Sequence, residues 1–205
     1  MVLTELLEKG GVVMPVIMAL SVYVVAVVIY KTYQLYQTGA FTTAFIDHVI
    51  EAVENKKMTE AMNIASNNNS PAARVIGVTI NSIGNRSISD EKRTRIIEST
   101  AIREIRPYES HMRGLEMVAN ISPLLGLLGT VTGMVKVFAG ISQTGSGVDP
   151  ALLAGGIWEA LIATVAGLAV AIPALAVHYI FESKIESIRA TVKDAVMSIM
   201  ARSGN

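Results

Sequence analysis

The chain has 205 residues, equal numbers of acidic and basic side chains, and a mean hydropathy of +0.47. With a formal net charge of zero, nothing in the composition suggests nucleic acid as a partner, and none is expected. Because the sequence has no cysteine, disulfides, thiol nucleophiles and cysteine metal sites are excluded.

Three stretches without a charged residue follow one another along the chain: 10–30, 117–135 and 160–181. Each is close to the roughly 20 residues that a helix needs to cross a hydrocarbon core about 30 Å thick. The sequence therefore predicts an all-α membrane protein with three transmembrane helices, at 12–30, 117–138 and 159–181.

The first of these stretches is interpreted as a retained anchor rather than a signal peptide. It is preceded by Glu5, Glu8 and Lys9 instead of a basic cluster, and no small-residue cleavage site follows Tyr30.

The distribution of Lys and Arg predicts the orientation. The segment 31–116 carries eleven of them and the tail 182–205 carries four, whereas 137–158 carries none. Because cytoplasmic loops are enriched in Lys and Arg, the middle segment and the tail are predicted to be cytoplasmic. The N-terminus, 1–11, and the loop 139–158 are then on the outer side.

Outside the membrane, apolar residues recur at helical spacing in three places. Ser89, followed by two acidic residues, suits an N-cap for the second, and Pro107 is expected to kink or interrupt that helix. The second and third spans are thus predicted to extend into one cytoplasmic helical bundle. The apolar positions are Phe45, Ile46, Val49, Ile50 and Val53; Ile96, Ile97, Ile102 and Ile105; and Phe181, Ile185, Ile188, Val192, Val196 and Ile199.

Small residues form a stripe along one face of the second span and another along the third. Because lipid provides no hydrophobic force between helices, such faces allow close packing. Two interpretations follow: a tight helix pair within one subunit, or faces that also line a central space shared between subunits. The second predicts six pore-lining residues: Gly126, Gly129, Gly133, Ala160, Gly167 and Ala171.

Polar groups near these stripes are few. Thr130 and Thr164 are predicted to lie at a similar depth and to line a polar path, with Glu159 at its outer mouth. The alternative for each threonine is a hydrogen bond to a carbonyl of its own helix. Asp149, which precedes Pro150, is predicted to be the N-cap of the third helix.

No carboxylate lies near the middle of any apolar stretch. Ion relays in membranes normally carry an intramembrane Asp or Glu. If this chain conducts ions, the acid is therefore expected from a second protein whose helix inserts against these faces.

Two blocks carry a resemblance to a known family: "ANISPLLGLLGTVTGMVKVF" and "DPALLAGGIWEALIATVAGLAVAIPA". With the three-span layout, they resemble the ExbB/TolQ/MotA family of ion-driven motor subunits, most of all ExbB. The resemblance implies a ring-forming homo-oligomer, a pentamer, in the bacterial inner membrane with a periplasmic N-terminus. It also implies a dimer of an ExbD-like single-span protein in the central pore and a TonB-like protein that is energised for outer-membrane import. Thr130, Thr164 and Glu159 match positions of the family's ion pathway.

Other functions remain as alternatives or are excluded. A TolQ-like envelope or gliding motor, a stand-alone cation channel and a passive scaffold are the alternatives, and the choice between proton and sodium stays open. No cofactor is expected. The sequence offers no nucleophile with a base, no metal-ligand cluster and no phosphate loop, so an enzyme is not predicted.

Overall fold

The computed structural model describes residues 11–39, 43–85, 87–144 and 150–203, which are helical apart from short turns. The predicted all-α class is confirmed. The predicted N-cap Asp149 and all of the outer segment 1–11 except Gly11 lie outside the described residues. The helices are α1 (Met14–Gln37), α2 (Ala44–Glu54), α3 (Met58–Ser66), α4 (Pro71–Gly84), α5 (Asp90–Glu109), α6 (Met112–Thr144) and α7 (Pro150–Ser203).

Within the described residues, three helical segments are long and apolar enough to cross a membrane: Met14–Gln37, Asp90–Ser142 and Leu153–Arg202. Each overlaps one of the three predicted spans, so the chain is a multi-pass membrane protein. The third span and the predicted C-terminal helix are one continuous helix, α7.

Helical structure extends into the predicted loop 139–158 from both sides. Helix α6 continues to Thr144, and α7 begins at Pro150. Proline at the first helical position suits the start of α7, since its missing N–H has no intrahelical partner there.

A break separates α5 from α6. Ser89 caps α5 by accepting a hydrogen bond from the Lys92 N–H at 3.4 Å, as predicted. Pro107 lies inside α5, and the helix ends only at Glu109. The interruption itself lies at Ser110, which is extended, and at His111, which has a φ of 65°.

The chain divides into two compact units, one comprising described residues within 1–29 and 111–179, the other those within 30–110 and 180–205. In the second unit α2 packs on α3, α3 on α4 and α4 on α5. Most of the predicted apolar positions are buried here, among them Val49, Ile97 and Ile188. Ile102 is the exception: it is 67% exposed, because it lies on a different side of α5 from Ile97 and Ile105.

Candidate ion pathway

In the first unit, α6 and α7 meet along a line of small residues that we call the seam: Gly126, Gly129 and Gly133 on α6, with Ala160, Ala163 and Gly167 on α7. A side-chain carbon at Gly126 would lie 2.9 Å from the Thr164 Cα, and one at Gly133 would lie 2.9 Å from the Ala160 Cβ. One at Gly129 would collide with the Ala163 Cβ. The two backbones are therefore close enough that these positions require glycine.

This packing gives the six small residues a role within the chain. All of them are buried, Ala160 to 2% exposure and Ala171 to 5%. The contacts therefore show a tight helix pair within one subunit at these positions. That the same residues line a central space shared between subunits stays a prediction.

The contacts along the seam also fix the register of the two helices. Gly133 faces Ala160, Gly126 faces Thr164, and Gly167 faces Ser122. The helices are therefore antiparallel. Since Gly129 faces Ala163, their successors Thr130 and Thr164 lie within about one helical turn of the same level, as their spacing predicts.

The two threonine hydroxyls differ in their hydrogen bonds. Thr164 Oγ1 donates across the seam to the carbonyl oxygen of Gly126 at 3.1 Å. Thr130 Oγ1 donates to the carbonyl of Leu127 in its own helix at 2.7 Å, the alternative raised from the sequence. Both side chains are half-buried. Because each proton is donated to the backbone, each oxygen still has lone pairs to accept another bond.

Both threonines lie on the same side of the seam. Thr130 follows Gly126 by four residues and Thr164 follows Ala160 by four, so each is turned about 40° from the seam in the same rotational sense. In an antiparallel pair, equal rotations point to the same side. We call this surface the threonine side; exposed apolar residues lie near the hydroxyls there, namely Leu127, Val131 and Leu168.

Glu159 lies on the opposite side. Its carboxylate is 3.7 Å from the ammonium of Lys136, and both residues are turned from the seam in the sense opposite to the threonines. A side-chain carbon at Gly11 would lie 3.0 Å from Glu159 Oε1, so the turn before α1 is on this side too. The structure therefore does not bring Glu159 together with Thr130 and Thr164.

Helix α1 covers the side of α7 that is turned away from Thr164. Met14 and Ile17 of α1, with Ile162 and Ala166 of α7, line an apolar groove of about 480 Å³. Ala166 is about 160° around α7 from Thr164. Within the described part of the chain, α1 thus leaves the threonine side uncovered.

Comparison with known proteins identifies the relatives of this arrangement. Residues 34–194 match the MotA/TolQ/ExbB proton channel family. The chain belongs to this family. Membership makes it a transport protein and not an enzyme.

Individual relatives within the MotA/TolQ/ExbB family are biopolymer transport proteins named ExbB. The chain is 43% identical over 86 residues to that of Salmonella typhimurium, covering 42% of this chain and 35% of the relative. It is 45% identical over 69 residues to exbB1 of Vibrio cholerae, covering 34% and 30%. An ExbB homolog of Methanothermobacter thermautotrophicus is 31% identical over 169 residues, covering 82% and 58%. The chain thus spans about a third of the first two relatives.

Two contacts of this site were not foreseen from the sequence. Lys136 pairs with Glu159, which lies 23 residues further along the chain, so no local spacing in the sequence indicates the contact. Ala163 was not included among the small residues, although it faces Gly129. The i, i+3, i+7 spacing of residues 160, 163 and 167 is the signal that identifies it.

Proposed function

We propose that this chain is an ExbB-like subunit of an ion-motive-force-driven motor in the bacterial inner membrane. Several copies, five by the family resemblance, surround the transmembrane helices of an ExbD-like single-span partner. The threonine side of each copy faces that partner. The motor energises a TonB-like protein for outer-membrane import.

One observation carries this proposal: two hydroxyls, within about one helical turn of the same level, lie on a surface that the described part of the chain leaves uncovered. Thr130 and Thr164 are both half-buried on this surface, beside exposed apolar residues. A polar pair is costly to expose to lipid, whereas a helix of another chain can bury it with its own polar group. The apolar residues of this surface allow a helix to pack against it, and the two hydroxyls favour a helix that carries a polar group.

The chemistry of the partner follows from what the two hydroxyls lack. A threonine does not ionise near neutral pH, and no Asp or Glu lies within 117–135 or 160–181. A partner carboxyl group supplies the titrating group. When protonated it donates its O–H to the oxygen of Thr164 or Thr130, and when ionised it accepts a hydrogen bond from the same hydroxyl, which then leaves its carbonyl.

The membrane potential supplies the free energy that drives such a cycle. One charge that crosses the membrane releases about 2.3 kcal/mol per 100 mV. We propose that each crossing moves the partner carboxyl from the hydroxyl pair of one subunit to that of the next. Protons are favoured as the ion because a carboxyl group is the element that titrates.

Glu159 has a peripheral part in this scheme. Its pairing with Lys136 neutralises both charges at the outer end of α6 and α7. We place it at the mouth of the pathway, where it affects the local concentration of cations, and not in the relay itself. The N-terminus and the α6–α7 connection are periplasmic in this proposal, following the Lys and Arg distribution.

The test is ion flux in proteoliposomes that contain the chain alone or together with its co-purified single-span partner. A potassium diffusion potential drives the flux, and a pH-sensitive dye in the lumen reports it. We expect no flux from the chain alone and a potential-dependent proton flux from the complex. Flux that requires sodium and persists with a protonophore would show that sodium is the ion.

Two outcomes contradict the motor assignment. Flux from the chain alone would identify a stand-alone channel, and a complex without an acid-bearing partner would identify a scaffold. The load is tested separately by identifying the elongated protein that co-purifies: a Tol-type or gliding component in place of a TonB-like protein would change the branch while leaving the motor intact.

A further inference from the structure

Lys31 is an unusual lysine, because its side chain is only 1% exposed. Lysine is almost never fully buried unless its charge is compensated. In the described part of the chain, the groups within hydrogen-bonding distance of the Lys31 ammonium are neutral oxygens of the second unit, and the Tyr30 ring lies 6.0 Å away. The ammonium donates to the carbonyl oxygen of Tyr108 at 2.6 Å and to that of Pro107 at 3.4 Å. It also lies 3.1 Å from Gln34 Oε1 and 3.4 Å from Ser110 Oγ.

The carbonyls of Pro107 and Tyr108 belong to the same helix end. Pro107 and Tyr108 belong to the last turn of α5, and the last four carbonyls of a helix have no intrahelical partner. Gln34, one turn after Lys31 in α1, donates its Nε2 to the same Pro107 oxygen at 3.2 Å. Two side chains of α1 thus cap the C-terminal end of α5, 73 to 77 residues away in sequence.

A lysine suits this position for two reasons. Its ammonium has three donors, enough to serve several oxygens at once. A positive charge is also favourable at the C-terminal end of a helix, where the peptide dipoles place negative charge. A methionine of similar length would fill the space and leave the carbonyls without this donor.

The same helix, α1, also contacts the chain just after the break, within the first unit. The Tyr23 hydroxyl lies against the backbone of Gly114, in the first turn of α6, so closely that a side-chain carbon there would collide with it. Lys31 and Gln34 therefore touch the last residues before Ser110 and His111, and Tyr23 touches the first turn after them.

We infer that Lys31 is a positioning residue: together with Gln34 it holds the last turn of α5 and fixes the end of that helix before Ser110. The inference depends only on the contacts of Lys31 and Gln34 within the second unit.

The test is hydrogen–deuterium exchange of the full-length protein in nanodiscs, read on peptides that cover 104–116. In Lys31→Met we expect the amides of this segment to exchange at least tenfold faster than in the wild type, because the last turn of α5 opens. Exchange in α2 and α3 should not change. Lys92→Met is the matched control, since Lys92 is exposed on α5 and its loss removes the same charge.

Two further variants make the result specific to the ammonium. Lys31→Arg retains charge and donors and should restore at least part of the protection. Gln34→Ala removes one donor to Pro107 and should accelerate exchange by about threefold; it also serves as the test if Lys31→Met does not fold. Unchanged or slower exchange in Lys31→Met or Gln34→Ala would overturn the inference. The measurement needs no ion flux, so its failure is distinct from failure of the motor proposal.

Discussion

The hydroxyl of Thr164 spans the seam and donates to the carbonyl oxygen of Gly126, 3.1 Å away. This bond ties α7 to α6 at the level of Thr130, and it exists because Gly126 has no side chain to keep Thr164 at a distance. One residue thus belongs both to the packing of the helix pair and to the surface on which the proposed pathway lies.

Replacing Thr164 with valine separates these two roles. The side-chain volume is kept, and the loss of one interhelical hydrogen bond in a membrane costs only about 0.6 kcal/mol. We expect the Thr164→Val protein to assemble normally but to lose partner-dependent proton flux in proteoliposomes. Thr132→Val is the control, because Thr132 bonds Leu128 of its own helix and lies away from the threonine side. Normal flux in Thr164→Val would remove the threonine from the pathway.

The seam predicts where an added methyl group is harmful. Gly129→Ala places a carbon against Ala163, and overpacking of this kind costs about 1–3 kcal/mol. Gly155→Ala on α7 meets no atom within 4 Å, so higher helix propensity should make it neutral or stabilising. Thermal unfolding in detergent compares the two variants. Equal stabilities would show that α6 and α7 are not in contact at Gly129.

The pair of Lys136 and Glu159 is expected to contribute little. Both side chains are partly exposed, so the coupling free energy from a double-mutant cycle should be at most about 1 kcal/mol. Glu159→Gln should lower flux a few-fold at low salt, and the deficit should shrink at high salt as charges are screened. Abolished flux at both salt concentrations would instead make Glu159 part of the relay, as would a loss equal to that of Thr164→Val.

Gly114 and Tyr23 provide a rescue experiment. Gly114→Ala introduces a carbon that collides with the Tyr23 hydroxyl, so the midpoint of thermal unfolding should fall. Tyr23→Phe removes the colliding oxygen and should recover a large part of the loss in the double variant. If Tyr23→Phe leaves the deficit of Gly114→Ala unchanged, the two residues are not neighbours.

The sequence was a good guide to elements whose determinants are local. The three spans are visible as charge-free runs of the required length, and Ser89 marks the start of α5. Pro107 pointed to an interruption, but not to its location after Glu109, because Lys31 and Gln34 cap the helix from a distant part of the chain.

Contacts between helices were less predictable. Residue spacing shows which side chains share a face of a helix, but not what covers that face. The glycines of α6 contact α7, and Glu159 lies beside Lys136 and the Gly11 turn, on the side opposite the threonines. These contacts depend on the register of the helix pair, and the part that the same residues play in an ion pathway stays a prediction.

Because the sequence has no cysteine, single-cysteine variants test most directly whether the threonine side faces a second chain. Thr130→Cys and Thr164→Cys, and on the other side Thr132→Cys, would be labelled with a short photo-crosslinker in membranes that contain the partner. The account predicts crosslinks from positions 130 and 164 to the single-span, acid-bearing chain and none from 132. Crosslinks from 132 alone, or only to lipid from all three, would contradict it.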